Sequence, residues 1–352
     1  MTLCIDAKIS AQTVIDSTKA SKAKLTPLPV AFYLPETGFG FGGLGILTFR
    51  LKNESFASRQ SSVQLGFSYT TKKQILVFLP YEIYKDNNSW RGVGELGFYK
   101  YFYNFYGLGI DSEEEDLETY DVTYPRFRGT LYYELMTNFS LGVSYQFDRY
   151  SGVRVDDGGL LNATLIEGKM GGILSNVGFN ILYDNRDKLF FPTSGYFIDA
   201  GIFTSVNWLG SSFDYSNFYL DFRKYQLIKG QHILALNLYM GLKSSGTPLF
   251  DLSYIGSNRT RGFNDRRFLG LSELSLTAEY RFPIYKRFGG VLFGASGTVA
   301  GDFDSLWSNK YVHSFGAGIR FVINQKDGIR VRLDYGFSPE GGNLYLTVRE
   351  AF

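Results

Sequence analysis

Cysteine and histidine are nearly missing from this sequence. Cys4 is the single cysteine in 352 residues, which excludes an internal disulfide framework and any cysteine-based structural zinc site. Two histidines, His232 and His313, leave little for histidine-centred catalysis or metal binding, and each is read as a strand-end residue. No run reaches the roughly 18 apolar residues of a membrane helix; the longest uncharged stretches, such as 170–183, are broken by Gly, Ser and Asn. Heptads and long 3.6-residue periods are lacking too. Neither sign of charge dominates: 36 Lys+Arg against 34 Asp+Glu leave +2, which gives no basic face for nucleic acid.

What is present is aromatic and glycine-rich. Tyr (26), Phe (32) and Gly (40) make a composition of strands joined by tight turns. From Pro27 onward, alternating runs are broken by turn signals every 15–20 residues. Between 273 and 284, Leu274, Leu276, Ala278, Tyr280, Phe282 and Ile284 share one face; Glu273, Ser275, Thr277, Glu279 and Arg281 share the other. The polar sets mix glycine with charges of both signs, and the apolar sets are flanked by aromatics. Apolar-out, polar-in alternation predicts a transmembrane barrel with a wet lumen, whose strands escape a search for apolar helices.

The spacing predicts an all-β fold, a 16-stranded antiparallel barrel. Its spans are about 28–35, 37–51, 60–70, 74–84, 90–103, 121–135, 138–150, 172–186, 195–207, 213–227, 231–244, 271–284, 290–302, 312–324, 329–338 and 343–352. Connections at 136–138 and 326–328 are tight, whereas 104–120, 151–171 and 245–270 are long. Residues 1–26 are expected to be a signal remnant or a disordered periplasmic tail, and 27–352 the barrel. Ile9-Ser10-Ala11 has the small-residue end of a secretory signal, without the basic start and apolar middle. Glu113, Glu114, Glu115 and Asp116 are read as a solvated acidic loop rather than a calcium site.

The segment 249–270 stands out: Arg259, Arg261, Arg266 and Arg267 with Asp251 and Asp265 make a charge-dense connection. A loop of about 20 residues without secondary structure is uncommon in a compact domain and is usually functional or disordered. Arg261-Gly262-Phe263 lies at its centre.

Tyr183-Asp184-Asn185-Arg186-Asp187, followed by Phe191-Pro192-Thr193-Ser194-Gly195-Tyr196, resembles the strand-turn-strand signature of the BamA/TamA superfamily of outer-membrane insertases and translocases. Arg261-Gly262-Phe263 is similar to that family's lumen-loop motif, and Glu279 to the glutamate that meets the loop arginine inside the barrel. Pro35-Glu36-Thr37-Gly38, Tyr106-Gly107-Leu108-Gly109 and Asp334-Tyr335-Gly336 are similar to lesser landmarks. The resemblance covers about residues 28–352. It implies an inward-folded extracellular loop, with Glu279 bound to Arg261; pairing of Glu279 with Arg281 or Arg320 is the local alternative. An aspartate of the family is replaced here by Ala295, which leaves the arginine's second partner open. Only about 26 residues precede the first strand, too few for the family's client-receiving POTRA domains.

Pro27, Pro29 and Pro35 crowd the first strand, and proline cannot donate to a ladder. The last strand must close against it, with Leu344, Leu346, Val348 and Phe352 as its outward set, interrupted by Glu350. The prolines mark either a weak seam or a kink at the start of a closed barrel. The resemblance implies a role in assembly or secretion of outer-membrane proteins. Its expected partners are outer-membrane lipids, client outer-membrane proteins, and a periplasmic or lipoprotein partner or a second copy. A passive or gated pore is the alternative. An enzyme is disfavoured because no paired nucleophile motif accompanies the histidines, and no cofactor or metal is expected.

Overall fold

The computed structural model describes residues 23–34, 37–55, 58–188, 191–256, 258–324, 329–348 and 350–352. Sixteen antiparallel strands close into a barrel. They begin with β1 (Lys24–Leu34), β2 (Gly38–Phe49), β3 (Ser61–Thr70), β4 (Ile75–Lys85) and β5 (Trp90–Phe105). Then come β6 (Glu118–Met136), β7 (Phe139–Arg154), β8 (Gly172–Asp184), β9 (Gly195–Ser205), β10 (Tyr215–Lys229) and β11 (His232–Lys243). A two-stranded ribbon, β12 (Ser253–Ile255) with β13 (Phe268–Gly270), interrupts the sequence order, so β11 pairs with β14 (Ser272–Tyr285). The wall ends with β15 (Phe288–Ala300), β16 (Val312–Asn324), β17 (Ile329–Ser338) and β18 (Gly341–Val348).

Side-chain alternation decides which face is which. Along β14, Glu273, Ser275, Thr277, Glu279 and Arg281 are buried, whereas Leu276 and Tyr280 are exposed. A sheet that buries its charges and exposes its leucines is inverted relative to a soluble sandwich, and closed into a cylinder it suits a lipid surround. The tight β6–β7 turn puts Asn138 at φ 66, left-handed backbone that asparagine tolerates.

Two differences from the sequence reading bear on the first strand and the long connection. β1 begins at Lys24, inside the segment expected to be tail, because Lys24, Leu25 and Thr26 already pair with Thr48, Leu47 and Ile46 of β2. The long connection 249–270 is not structureless: its two limbs zip together from Ser253 opposite Gly270 to Ile255 opposite Phe268. The segment 1–22, Pro35 and the turn at 326–328 lie outside the described residues.

The interior wall is uneven. Inward positions of β1 to β4 include Val30, Phe32, Leu44, Ile46, Gln64, Ser68, Leu76, Phe78 and Pro80. Those of β14 to β18 include Glu279, Arg281, Arg320, Arg332, Asp334 and Thr347. The closing seam separates a largely apolar sector from a charged one.

Candidate functional site

The ribbon carries the intervening residues to the charged wall. Arg261 is fully buried; Nη2 donates to Glu279 and Nη1 to Asp334 of β17. Its guanidinium lies 3.7 Å from the centre of the Phe293 ring. The second Glu279 oxygen accepts from Arg281 Nε at 2.8 Å. Asp334 also takes Arg320, and Arg332 at 3.5 Å. Arg320 Nε reaches Glu350 Oε2 at 2.7 Å, and Arg332 Nη2 reaches Asn258 Oδ1 at 2.7 Å. Charge-assisted bonds of this kind are the strong ones. Both expected partnerships of Glu279 occur at once, with Arg261 and with Arg281, while Arg320 goes to Asp334.

The second acceptor, which the sequence left open, is Asp334 of the Asp334-Tyr335-Gly336 landmark. Fully buried on the inward set of β17, Asp334 lies two strands from Ala295 of β15, the position where the resemblance implied an aspartate. Beside it, Gly262 has φ +115, and a Cβ there would lie 2.9 Å from both Phe337 O and Ser314 Cβ. Only glycine allows that approach. Gly262 N donates to Tyr345 Oη (3.0 Å), and Asn343 Nδ2 donates to Gly262 O (3.2 Å). Phe263 is buried with Ile110, Ile255 and Val299 and meets Phe268 edge-on at 5.8 Å.

The remaining loop arginines are seated as well. Arg259 stacks 3.6 Å over the Tyr239 ring, and its carbonyl accepts from Thr277 Oγ1 (2.7 Å). Arg266 Nη2 donates to Leu249 O (2.7 Å), and Arg267 Nε to Glu340 (2.8 Å). At the base of the loop, Lys243 Nζ meets Asp251 Oδ2 at 2.9 Å. The charge-dense connection is thus a set of separate clamps on the barrel.

The second motif builds the β8–β9 turn. Asp184 accepts two bonds from Arg186 (2.8 and 2.9 Å), whose guanidinium lies 4.4 Å over the Phe197 ring. Tyr183 Oη accepts from Asn185 Nδ2 (3.0 Å), Pro192 is buried, and Gly195 has φ +104 with Asn185 O crowding its Cβ direction at 2.6 Å. Phe191 reaches across to Arg330, 3.2 Å from ring centre to guanidinium carbon.

Asp187 accepts from Thr193 N (2.7 Å), Thr193 Oγ1 (2.6 Å) and Ser194 N (3.1 Å). Partial burial works against its charge, but these donors prevail and hold its carboxyl below the usual range. A depressed carboxyl stabilises above its unfolded pKa of about 3.9 and loses that contribution as pH falls through the folded value. Asp187→Ala is expected to lower the urea midpoint of the reconstituted barrel at neutral pH, and below about pH 4 the difference from wild type should narrow.

The seam is thinly paired. β1 and β18 are in register at Tyr33 opposite Leu346, the one pair among the described residues, whereas β1 matches β2 continuously from Lys24 to Leu34. Thr71 N donates to Phe39 O at 2.8 Å, so the odd residues of β2 bond towards β3 and the even ones towards β1. The register between β1 and β2 joins even to even. Odd residues of β1 therefore direct their backbone groups towards β18. These are Leu25, Pro27, Pro29, Ala31 and Tyr33, two of which carry no N–H. With Tyr33 opposite Leu346, Pro29 and Pro27 fall level with residues 350 and 352, past the end of β18, so they strip donors from the free part of the β1 edge and leave the β1–β2 ladder intact.

Phe352 is a correction. Leu344 is exposed as expected, but Phe352 does not join it on the outer face. β18 ends at Val348, and Phe352 is buried against Tyr225 and Ala235, with Arg281 5.6 Å from its ring. Glu350 supplies the reason: a carboxylate is disfavoured against lipid, and its bond to Arg320 draws the segment inward.

The Omp85 superfamily domain matches residues 48–343. Among solved structures, the chain is similar to BamA from Haemophilus ducreyi lacking POTRA domains 1–3, at 15% identity and TM-score 0.61, covering 95% of this chain and 70% of that one. CdiB from Acinetobacter baumannii follows, at 12% identity and TM-score 0.58, with 94% and 60% covered. CdiB from Escherichia coli has the same identity and TM-score, with 93% and 62% covered. The chain thus spans about 60% of the length of either CdiB. No curated protein matches it. With the closed sixteen-stranded wall, its apolar exterior and a family match over most of its length, this chain belongs to the Omp85 superfamily and is a barrel of the Gram-negative outer membrane.

Proposed function

We propose that the barrel takes part in assembly or secretion of outer-membrane proteins, with its first–last seam as the working edge and loop 249–270 filling the lumen. The supporting observation is the seam: the β1 edge is paired at Tyr33 and deprived of donors at Pro27 and Pro29, while residues 350–352 turn away from it. Each ladder bond contributes about 0.5–1.5 kcal/mol net, so opening a short seam costs little compared with opening any other strand pair. An exposed strand edge templates an incoming strand by main-chain pairing. Client outer-membrane proteins are the proposed partners, delivered by a periplasmic or lipoprotein subunit or by a second copy. The alternative of a solute pore fits the charged interior but gives no role to the seam.

Tyr33→Cys with Leu346→Cys, in a Cys4→Ser background, tests the reading. Directly opposed residues of a bonded antiparallel pair lie about 5.5 Å apart between Cα atoms, within disulfide range. Oxidation is expected to stop assembly of client barrels in cells that need the protein, and reductant to restore it. Unimpaired assembly with a locked seam would overturn the proposal.

A further inference from the structure

The interior wall of β1 to β4 is out of character for a wet lumen. Val30, Phe32, Leu44, Ile46, Leu76, Phe78 and Pro80 face inward and are partly exposed. Phe32 lies over Gly40 and Phe78 over Gly66, where a Cβ would meet each ring at 2.2 Å, so the glycines let the rings lie flat on the wall. The charged residues among the inward positions of β1 to β4 are Lys24 and Glu82, towards one end; Glu82 bonds Arg91 at 2.9 Å. Gly262 and Phe263 instead sit against Ser314, Phe337, Tyr345 and Val299, on the opposite side of the seam.

The outer face of the same strands is also apolar, with Leu25, Phe39, Phe41, Leu47, Leu65 and Phe67 exposed. From Val30 to Tyr33, β1 therefore presents apolar side chains on both faces, and between them lies the edge that β18 meets at Tyr33. An apolar interior patch exposed to water is unfavourable by about 25 cal/mol for every Å². The outer surface of β1 is covered by lipid, and the inner one continues it around a weakly closed edge.

We propose that this interior sector is a lipid site: a phospholipid acyl chain enters at the seam and lies along Val30, Phe32, Leu44, Ile46 and Phe78. Its occupancy rests on the seam reading above, because the chain passes where β1 and β18 part. The lipid covers the apolar sector of four strands while the arginine network holds the loop to the wall of β14 to β18 across the seam. A client strand arriving at β1 then displaces hydrocarbon rather than water.

The test uses the full chain in phosphatidylcholine liposomes, with Trp90, Trp208 and Trp307 replaced by Phe and one new tryptophan introduced at a time. Phe32→Trp and Ile46→Trp report the sector, Gln146→Trp the polar interior wall, and Leu47→Trp the outer face. With brominated acyl chains, emission from the two sector positions is expected to fall nearly as far as at Leu47→Trp and further than at Gln146→Trp. Aqueous iodide should leave them unchanged. Oxidising the Tyr33→Cys, Leu346→Cys pair before reconstitution should abolish the lipid quenching at both sector positions. Two substitutions guard against one misfolding, since Phe32→Trp keeps an aromatic ring. Quenching by iodide alone, quenching by neither, or lipid quenching that survives the lock would each overturn the lipid site. If the unlocked barrel shows no lipid quenching while the lock still stops client assembly, the lipid site fails and the seam reading stands.

Discussion

Asp334→Ala is expected to destabilise the barrel by about 3–5 kcal/mol, the usual loss when one partner of a buried ion pair is removed, and by more than Arg261→Ala does. Charge balance decides the order. Five arginines (Arg261, Arg281, Arg320, Arg330, Arg332) lie with three carboxylates (Glu279, Asp334, Glu350) along this wall. Without Arg261, Glu279 keeps Arg281 and Asp334 keeps Arg320. Without Asp334, Arg261, Arg320 and Arg332 all lose an acceptor at once. Urea unfolding of the reconstituted barrel, followed by loss of heat-modifiable mobility, should rank Asp334→Ala below Asp334→Asn, and both below wild type. The double variant Arg261→Ala, Asp334→Ala should recover part of the loss, because the pair is then removed together. Arg261→Ala being the worse of the two singles would count against this account.

Deletion of 257–268 should convert a closed barrel into a conducting one. The segment brings Arg261, Gly262 and Phe263 to residues of β14 to β18, and Arg266 and Arg267 to Leu249 and Ser112. Its loss removes the residues that pack on the β14 to β18 wall. Strand count sets diameter, and 16-stranded barrels with open interiors leave aqueous channels. Planar-bilayer recordings are expected to show large, steady conductance after deletion and brief or small events before it. Equal conductance in both would show that the loop does not obstruct the lumen.

Much of the wall was legible in the sequence, because a period of two leaves its mark on every strand. The spans around 60–70, 138–150 and 312–324 fall within a few residues of the observed strands. The pairing of Arg261 with Glu279 was reachable because a motif and an inward register coincided. The Asp334 contact was not, since which strand lies opposite a loop tip depends on barrel closure and not on local pattern. The position of Phe352 was misread for a similar reason: alternation says where a side chain points only while the strand continues, and β18 ends at Val348. The short β12–β13 ribbon, three residues a limb, is below the length at which alternation can be recognised.

The prolines of β1 occupy positions of one parity, and that has a consequence for how the first strand can change. Adding or removing a single residue between Pro29 and Tyr33 would turn both rings to the opposite face and hand their missing donors to the ladder with β2. The bond that must hold would weaken, and the one that must part would strengthen. Insertions in this stretch should therefore be tolerated in pairs and rejected singly, a rule set by backbone geometry before any question of side-chain identity arises.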